Sequence, residues 1–388
     1  MRMKALLNRM VRRMQRSLGP GRGARHAKRP RRQRDAAVDA MPVTDEAVVW
    51  ALRLLIGREP AYPAEIALHQ ANRSLGELRA VFMGTPEFAA LVREAKGLRP
   101  RFAIPPFLLR RPSNPAIPWR PGQPTLHDPV SQLCTAVQFD DPEFDRILRQ
   151  MRLVPSQHRK LWEHVYIVKI LHQEGLLTPG RRAIVFGCGR ERIPAYLARH
   201  GVEVLATDAP AEKTASQGWT STGQYAAQAA DLFIPDLIER EQFERLVSFR
   251  PVDMNDIPAD LAGRFDACWS TCSLEHLGSL QHGLDFIENS LSVLRPGGIA
   301  VHTTEFNLVS NNKTLDAPGL CVYRRRDMEA LAARLIAKGH QVLPLNFHPG
   351  EEELDEVIDV PPYALPHLKL ELQDMTCTSI GFAVRRAG

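Results

Sequence analysis

The sequence lacks the features that would place the chain in a membrane, among disulfide-linked secreted proteins or among zinc proteins. No apolar run approaches the roughly 20 residues that span a bilayer, and the first residues lack the unbroken apolar core of a secretion signal. The six cysteines form no Cys-x-x-Cys pair and no Cys/His pattern with zinc-finger spacing. We therefore expect reduced thiols and a cytoplasmic protein.

Acidic residues are missing from the first 34 positions, which hold 13 of the 50 lysines and arginines. The remaining residues carry 37 basic and 44 acidic side chains, so their formal charge is −7 although that of the whole chain is +6. Residues 1–42 are therefore predicted to be a basic, disordered arm. Such an arm suits peripheral contact with a membrane or is a solvated extension, and the acidic remainder argues against nucleic acid as a partner.

Residues 43–98 have the capping signals of a small helical domain. Thr44 precedes an apolar helical pattern, Ser74 opens a capping box, and Thr85 precedes a proline at a first helical position. The sequences RLLIGREP from Arg53 and TPEF from Thr85 resemble a small bacterial helical domain of unknown function, related in pattern to phycobilisome-linker repeats. The resemblance implies that this unit docks an unnamed partner.

Nine prolines lie between residues 100 and 129, which excludes regular helix there and favours an extended chain. Residues 99–135 are therefore predicted to be a linker. Residues 136–388 are predicted to form the second, larger domain.

A glycine-rich turn from strand to helix lies near the start of this domain. A short apolar run ends in Phe186, and Gly187 and Gly189 follow before a helical stretch. Glycines suit a turn where a ligand approaches the backbone and the free N–H groups of a helix start. The next strand ends in Asp208, 21 positions after Gly187, where an acid accepts hydrogen bonds from ribose hydroxyls. The pattern indicates a nucleoside-containing cofactor and does not by itself exclude NAD.

Two features favour S-adenosylmethionine over NAD as this cofactor. The third glycine of the dinucleotide pattern is replaced by Arg192, and S-adenosylmethionine has no phosphate that would need the tight packing of that glycine. A predicted third strand ends in Asp253 and Met254, an acid and an apolar residue that suit the amino group and the ring face of adenine.

The order of motifs in the following residues closely resembles class I methyltransferases. FDxxxS begins at Phe265, LEHL at Leu274 and LRPGG at Leu294, and the resemblance spans about residues 160–307. It implies an α/β fold, doubly wound, with a mostly parallel seven-stranded sheet whose last strand is antiparallel, beside the small N-terminal all-α domain. It also implies an S-adenosylmethionine-dependent methyltransferase.

The resemblance assigns the parts of the cofactor to individual positions. Gly187 and Gly189 approach the methionine moiety, Asp208 binds ribose, and Ser270 lies with Thr271 beneath the sulfonium. The residues implied to bind the cofactor are Phe186, Gly187, Gly189, Asp208, Asp253, Met254, Ser270 and Thr271. Glu191 departs from the small residue that is commoner after the glycines.

Methyl transfer is an in-line displacement that needs aligned reactants and sometimes a base. The candidates for that base, at the carboxyl ends of the fourth and fifth strands, are His276, His302 and Glu305. Some relatives bind a divalent ion through a glutamate-rich form of this loop, but Cys272 stands where the first glutamate would be, so no metal is predicted.

The Gly218-Trp219 pair and residues 302–307 resemble methyltransferases of bacterial polysaccharide clusters. This implies a small-molecule or glycan acceptor methylated on oxygen or nitrogen, in surface-polysaccharide or secondary metabolism. The arginines of residues 324–326 suit a phosphate-bearing acceptor or simply begin a solvated helix. An RNA methyltransferase and a non-catalytic Rossmann-like binding protein are the alternatives.

Overall fold

The computed structural model describes residues 38–85, 87–88, 91–92, 100–210, 225–361 and 363–388. They form two compact units, one within the first 100 residues together with residues 360–364, and one made of residues 101–359 and 365–388. Most of the predicted basic arm and the Gly218-Trp219 pair lie outside the described residues.

The first unit is helical in its described part. Its helices are α1 Asp45–Ala51, continued by a π-helical turn Leu52–Ile56, α2 Pro63–Gln70 and α3 Leu75–Met83. The hydroxyls of Thr44 and Ser74 accept hydrogen bonds from backbone N–H groups three residues on, so both act as the caps that the sequence indicates. The buried side chains between the helices are Val48, Leu52, Ile56, Leu78 and Phe82.

The second unit is built on a mixed sheet. Its strands are β1 Ser131–Gln132, β2 Arg182–Val185, β3 Glu203–Asp208, β4 Val247–Pro251, β5 Phe265–Thr271, β6 Leu294–Asn307, β7 Asp316–Ala317, β8 Leu320–Cys321, β9 Gln341–Val342, β10 Leu345–Asn346, β11 Ile358–Asp359, β12 Lys369–Leu372 and β13 Met375–Arg385. The main sheet has the order β11-β12-β13-β6-β5-β2-β3-β4, and β9 also pairs with β13. The neighbours from β6 to β4 are parallel, whereas β13 is antiparallel to β6.

Helices cover both faces of this sheet. They are α4 Pro142–Gln150, α5 Arg159–Gln173, α6 Ile193–Arg199, α7 Arg240–Leu246, α8 Leu280–Ser290 and α9 Arg325–Ala337. Strand β2 is apolar on both faces, which is why both need a cover of helices. Ala183 and Val185 pack in the core with α4 to α7, and Ile184 packs in the core with α8 and α9. No helix in the described part of the chain is long and apolar enough to cross a bilayer.

The arrangement is the mixed α/β, Rossmann-like sheet expected of a methyltransferase, with the predicted antiparallel last strand. Within the described residues the sheet has nine strands rather than the predicted seven, because β9, β11 and β12 all lie near β13. Strands β11 and β12 thus extend the sheet beyond β13. A fully buried ion pair between Lys369 and Asp355, 2.8 Å long, fixes this extension.

The proline-rich segment is not a free linker, which corrects the prediction for residues 99–135. From Arg101 it belongs to the second unit, and β1 within it pairs with β10. Arg325 of α9 is buried and donates to the backbone carbonyls of Phe107, Leu108 and Arg110. An extended chain cannot satisfy its own carbonyls, so a long-range donor that the local sequence does not reveal fixes the segment. Its buried apolar side chains include Phe102, Leu108, Ile117, Leu126 and Leu133.

We expect Arg325→Lys to lower the free energy of unfolding by about 2 kcal/mol, because lysine lacks the planar fork that reaches several carbonyls at once. The neighbouring Arg326 is exposed, so Arg326→Lys is the matched control and leaves stability unchanged. Urea unfolding of both variants measures the difference. Equal stability of the two variants would contradict the role assigned to Arg325.

Candidate active site

The turn after β2 requires glycine for conformation and for space. Gly187 and Gly189 have φ of +62° and +49°, the left-handed region that glycine adopts without strain. A Cβ on Gly187 would lie 2.6 Å from Oγ of Ser273, in the loop that follows β5. The Ser273 hydroxyl donates to the Gly187 carbonyl over 3.1 Å. The loops after β2 and β5 therefore meet at the carboxyl edge of the sheet.

Asp208 at the end of β3 is tied to this turn. Its Oδ2 accepts a hydrogen bond from the Gly189 N–H over 3.0 Å, and its Oδ1 accepts one from the Ala209 N–H over 2.8 Å. Burial raises the pKa of Asp208, although these N–H groups oppose the rise. The Ala226 N–H also bonds this carboxylate, so of the roughly four acceptor sites that a carboxylate offers, about one stays open for a ribose hydroxyl.

The predicted adenine residues follow β4. The Val252 N–H donates to the Asp208 carbonyl over 2.8 Å, which places the start of this loop beside the end of β3. The sulfur of Met254 lies 3.4 Å from the Cβ position that Gly187 leaves empty, and Asp253 accepts from the Asn255 N–H. Met254 thus adjoins the glycine turn, and Asp253 precedes it in the same loop.

Side chains of β5 divide between the two faces of the sheet. Thr271 faces the turn and donates to Oε2 of Glu191 over 2.7 Å, and the Trp269 indole donates to Oε1 over the same distance. Ser270 is wholly buried on the opposite face, where its hydroxyl lies 2.8 Å from Nδ1 of His302. Ser270 therefore does not reach a ligand at the turn with its side chain, which corrects the prediction that paired it with Thr271.

Two further predicted site residues are buried in the core with α8. His302 lies between the hydroxyls of Ser270 and Ser290, and burial lowers its pKa to about 3. It is a neutral, hydrogen-bonded core residue and not a base for the acceptor. Phe186 is also fully buried and packs edge-on against Phe286 at 5.3 Å, so only its backbone is available to a cofactor.

His276 lies in the short turn Leu274–His276, where its Nδ1 is 2.7 Å from the Gly319 carbonyl. That contact places its ring toward the β7–β8 hairpin. The neighbouring Glu275 is buried instead and accepts a hydrogen bond from Thr304 over 3.0 Å. Burial raises the pKa of Glu275, which favours the protonated carboxyl.

Glu305 near the end of β6 is held by cations of α5. Its Oε1 lies 2.7 Å from Nη2 of Arg159 and 3.3 Å from Nζ of Lys160. Burial would raise the pKa of Glu305, but the two cations outweigh it and lower the pKa. Both cations also pair with Glu163 on α5, which is fully buried. Glu305 is therefore ionised, and the two cations lie between it and Glu163.

The sequence interpretation missed Arg159, Lys160 and Glu163. They place charges among the apolar residues of α5, and the described structure buries or half buries those charges. A helix that buries charges at positions i and i+4 needs partners from another element. The charged pair at positions i and i+4 in an apolar helix could have indicated a buried cluster. It could not have indicated the partner, because Glu305 is distant in sequence.

Cys272 lies next to this cluster, with a left-handed φ of +43°. Its thiol is 3.1 Å from Oε1 of Glu163, and burial together with the carboxylates raises its pKa well above the usual range. Ligand atoms of Cys272, Glu275 and Glu305 lie within 4.8 Å of one another, a spacing that a metal ion would need. A protonated thiol and two nearby cations do not suit a divalent ion, so the donor set favours a hydrogen-bonding site.

The arginines considered for phosphate binding have partners of their own. Arg324 forms a forked ion pair with Asp327, with contacts of 2.8 and 2.9 Å, and Arg325 binds the proline-rich segment. Two of the three side chains are thus occupied in the fold.

Comparison with known proteins identifies the class. Residues 184–302, about a third of the chain, match the family model described as a methyltransferase domain. The match covers the glycine turn, Asp208, and the strands that carry Thr271 and His302. The chain is thus an enzyme with a methyltransferase domain, and its cofactor is S-adenosylmethionine.

Solved structures resemble the chain only distantly, and no curated protein matches its sequence. The [4+2]-cyclase SpnF has 19% identity and a TM-score of 0.35, with 57% of this chain and 80% of that chain covered. The 1,6-didemethyltoxoflavin-N1-methyltransferase of Burkholderia thailandensis has 16% identity and a TM-score of 0.32, with 56% and 76% covered. An S-adenosylmethionine-dependent methyltransferase of Mesorhizobium loti has 13% identity and a TM-score of 0.35, with 64% and 100% covered. These values are too low to transfer a substrate to this chain.

We expect Gly187→Ala to weaken S-adenosylmethionine binding at least tenfold, because the added methyl group would collide with Ser273 and displace the turn. Gly180→Ala is the matched control, since Gly180 also has a positive φ, +83°, but no atom lies within 4 Å of its added methyl group. Calorimetric titration compares the two. Similar affinities would show that the close contact at Gly187 is not needed for binding.

Proposed function

We propose that the enzyme transfers the methyl group of S-adenosylmethionine to an oxygen or nitrogen of a small-molecule or glycan acceptor. The observation that carries this proposal is a pair of unsatisfied polar atoms. Oε2 of Glu305 and Nε of Arg159 are buried and have no hydrogen-bond partner among the described residues. A hydroxyl or amine donates to the first atom and accepts from the second, whereas a carbon acceptor does neither.

The cofactor fits between the loops that end β2, β3 and β5. Gly187 and Gly189, which carry no side chain, let the methionine moiety approach the backbone of the turn, and Asp208 supplies an acceptor for ribose. Met254 adjoins the turn on the side proposed for adenine, and Asp253 precedes it in the loop after β4. When bound, S-adenosylmethionine supplies a methyl group already activated by the sulfonium, so the protein mainly aligns the reactants.

In this proposal Glu305 binds the acceptor and takes up its proton. Because Arg159 and Lys160 hold its pKa low, it stays ionised through neutral pH and accepts a hydrogen bond from the nucleophile. As the new bond to carbon forms, the proton of the acceptor moves toward Oε2. Arg159 orients the carboxylate through Oε1, which leaves Oε2 for the acceptor.

The biological setting that we propose is bacterial surface-polysaccharide or secondary metabolism, on the resemblance of residues 302–307. The charge outside the first 34 residues, −7, favours a small polar acceptor over RNA. We also propose that the helical unit at residues 43–98 docks a partner.

The proposed cofactor site can be tested by ligand binding. S-adenosylmethionine binds the purified protein, NAD does not, and Asp208→Ala weakens the binding at least tenfold because the ribose loses its acceptor. Calorimetry measures all three, with the exposed Glu203→Ala at the far end of β3 as control. NAD binding by the wild-type protein, or unchanged affinity in Asp208→Ala, would overturn the assignment of this site.

The proposed role of Glu305 can be tested by turnover. With an acceptor found by screening sugars, nucleotide sugars and small hydroxylated or amino compounds, Glu305→Gln lowers kcat about 100-fold and leaves the affinity for S-adenosylmethionine unchanged. The surface variant Glu244→Gln is the control and keeps full activity. Formation of S-adenosylhomocysteine reports turnover. Full activity of Glu305→Gln would remove Glu305 from the reaction.

A further inference from the structure

The glycine turn is followed by a carboxylate that the cofactor assignment above does not use. Glu191 stands two residues after Gly189, and its side chain extends toward the end of β5. The carboxylates of Asp208 and Glu163 lie close enough to raise its pKa. Glu191 therefore lies among the loops that surround the proposed methionine moiety.

Two hydrogen bonds fix the position of this carboxylate without saturating it. Trp269 donates to Oε1 and Thr271 donates to Oε2, each over 2.7 Å. An ionised carboxylate offers about four acceptor positions, so about two remain available. The groups that hold Glu191 are neutral, and no cation pairs with it among the described ion pairs. A buried or half-buried acid without a cation is unfavourable unless a ligand supplies the positive charge.

The surroundings of Glu191 show the same need for a cation. Burial raises its pKa to about 7, the hydrogen bonds from Thr271 and Trp269 oppose the rise, and the carboxylates of Asp208 and Glu163 add to it. The Cys188 thiol on the same turn is a further titratable neighbour, and burial and the nearby acids raise its pKa well above the usual range. Before the glycines, β2 and Phe186 offer no acid, since residues 183–186 are all apolar.

We propose that Glu191 binds the ammonium group of the donor's methionine moiety and thereby selects the amino-acid end of the cofactor. This inference rests on the proposed placement of the cofactor at Gly187, Gly189 and Asp208. The ammonium supplies the missing cation and donates to the two open acceptor positions. The carboxylate end of the methionine moiety would be repelled by Glu191 and by Asp208, which fixes the direction of the moiety along the turn.

Two thioether ligands isolate this contact, because neither has a sulfonium. S-adenosylhomocysteine carries the ammonium, and 5′-methylthioadenosine lacks the whole amino-acid portion. Glu191→Gln keeps the shape of the side chain and can still accept from Trp269, but it loses the charge. We expect it to weaken S-adenosylhomocysteine binding about tenfold or more and to leave 5′-methylthioadenosine binding unchanged. Asp208→Asn should weaken both ligands, and the exposed Glu203→Gln should weaken neither.

The pH dependence gives a second readout. Glu191 must be ionised to bind an ammonium, so protonation below pH 7 opposes binding. Wild-type affinity for S-adenosylhomocysteine should fall about tenfold from pH 8 to pH 6, and Glu191→Gln should remove most of that dependence. Thermal unfolding verifies that the variants are folded.

The possible outcomes distinguish a failure of the ammonium contact at Glu191 from a failure of the cofactor site itself. If Asp208→Asn weakens both ligands but Glu191→Gln weakens neither or both equally, the cofactor site stands and the ammonium contact is wrong. If Glu191→Gln strengthens S-adenosylhomocysteine binding, Glu191 faces the carboxylate of the ligand and the proposed direction is reversed. If Asp208→Asn changes neither ligand, the cofactor site itself is misplaced and both proposals fail.

Discussion

The contact between Gly187 and Ser273 is the constraint on which the candidate site depends. It brings the backbone after β2 against the loop after β5, so that no side chain fits between them. Once these loops meet, the Gly189 N–H reaches Asp208 at the end of β3, and Glu191 reaches Thr271 at the end of β5. This single close contact thereby fixes the relative positions of the carboxyl ends of β2, β3 and β5 and of the acidic residues beside them.

Electrostatics divides this edge of the sheet into two regions. Glu191 and Asp208 form no ion pair with another described residue, which suits a positively charged ligand such as S-adenosylmethionine. Around Glu305 the acids of α5 and β6 are matched by Arg159 and Lys160. In the reaction that we propose, a neutral polar acceptor would bind at the charge-balanced cluster and the cationic donor at the acidic one.

Local sequence predicted the parts of this site that local geometry determines. The glycine turn and Asp208 follow from a fixed spacing, and the parallel direction of the strands follows from the alternation of strands and helices. Ser270 and His302 were assigned to the wrong face of the sheet. Adjacent side chains of a strand point to opposite faces, and which face a given residue occupies depends on the helices that pack on the sheet. Arg159 and Glu305 were not paired because residues 146 positions apart meet only through the sheet. The proline-rich segment was misjudged for the same reason, since Arg325 fixes it from more than 200 positions away.

That long-range attachment also governs the order in which the protein can form during synthesis. Leu133 bridges to Ile380 and β1 pairs with β10, so the segment that emerges early from the ribosome has its partners near the other end of the chain. Until those partners emerge, its backbone carbonyls and buried apolar side chains face solvent. Residues 101–135 are therefore among the last parts of the second unit to be ordered, although they are the first of that unit to be made.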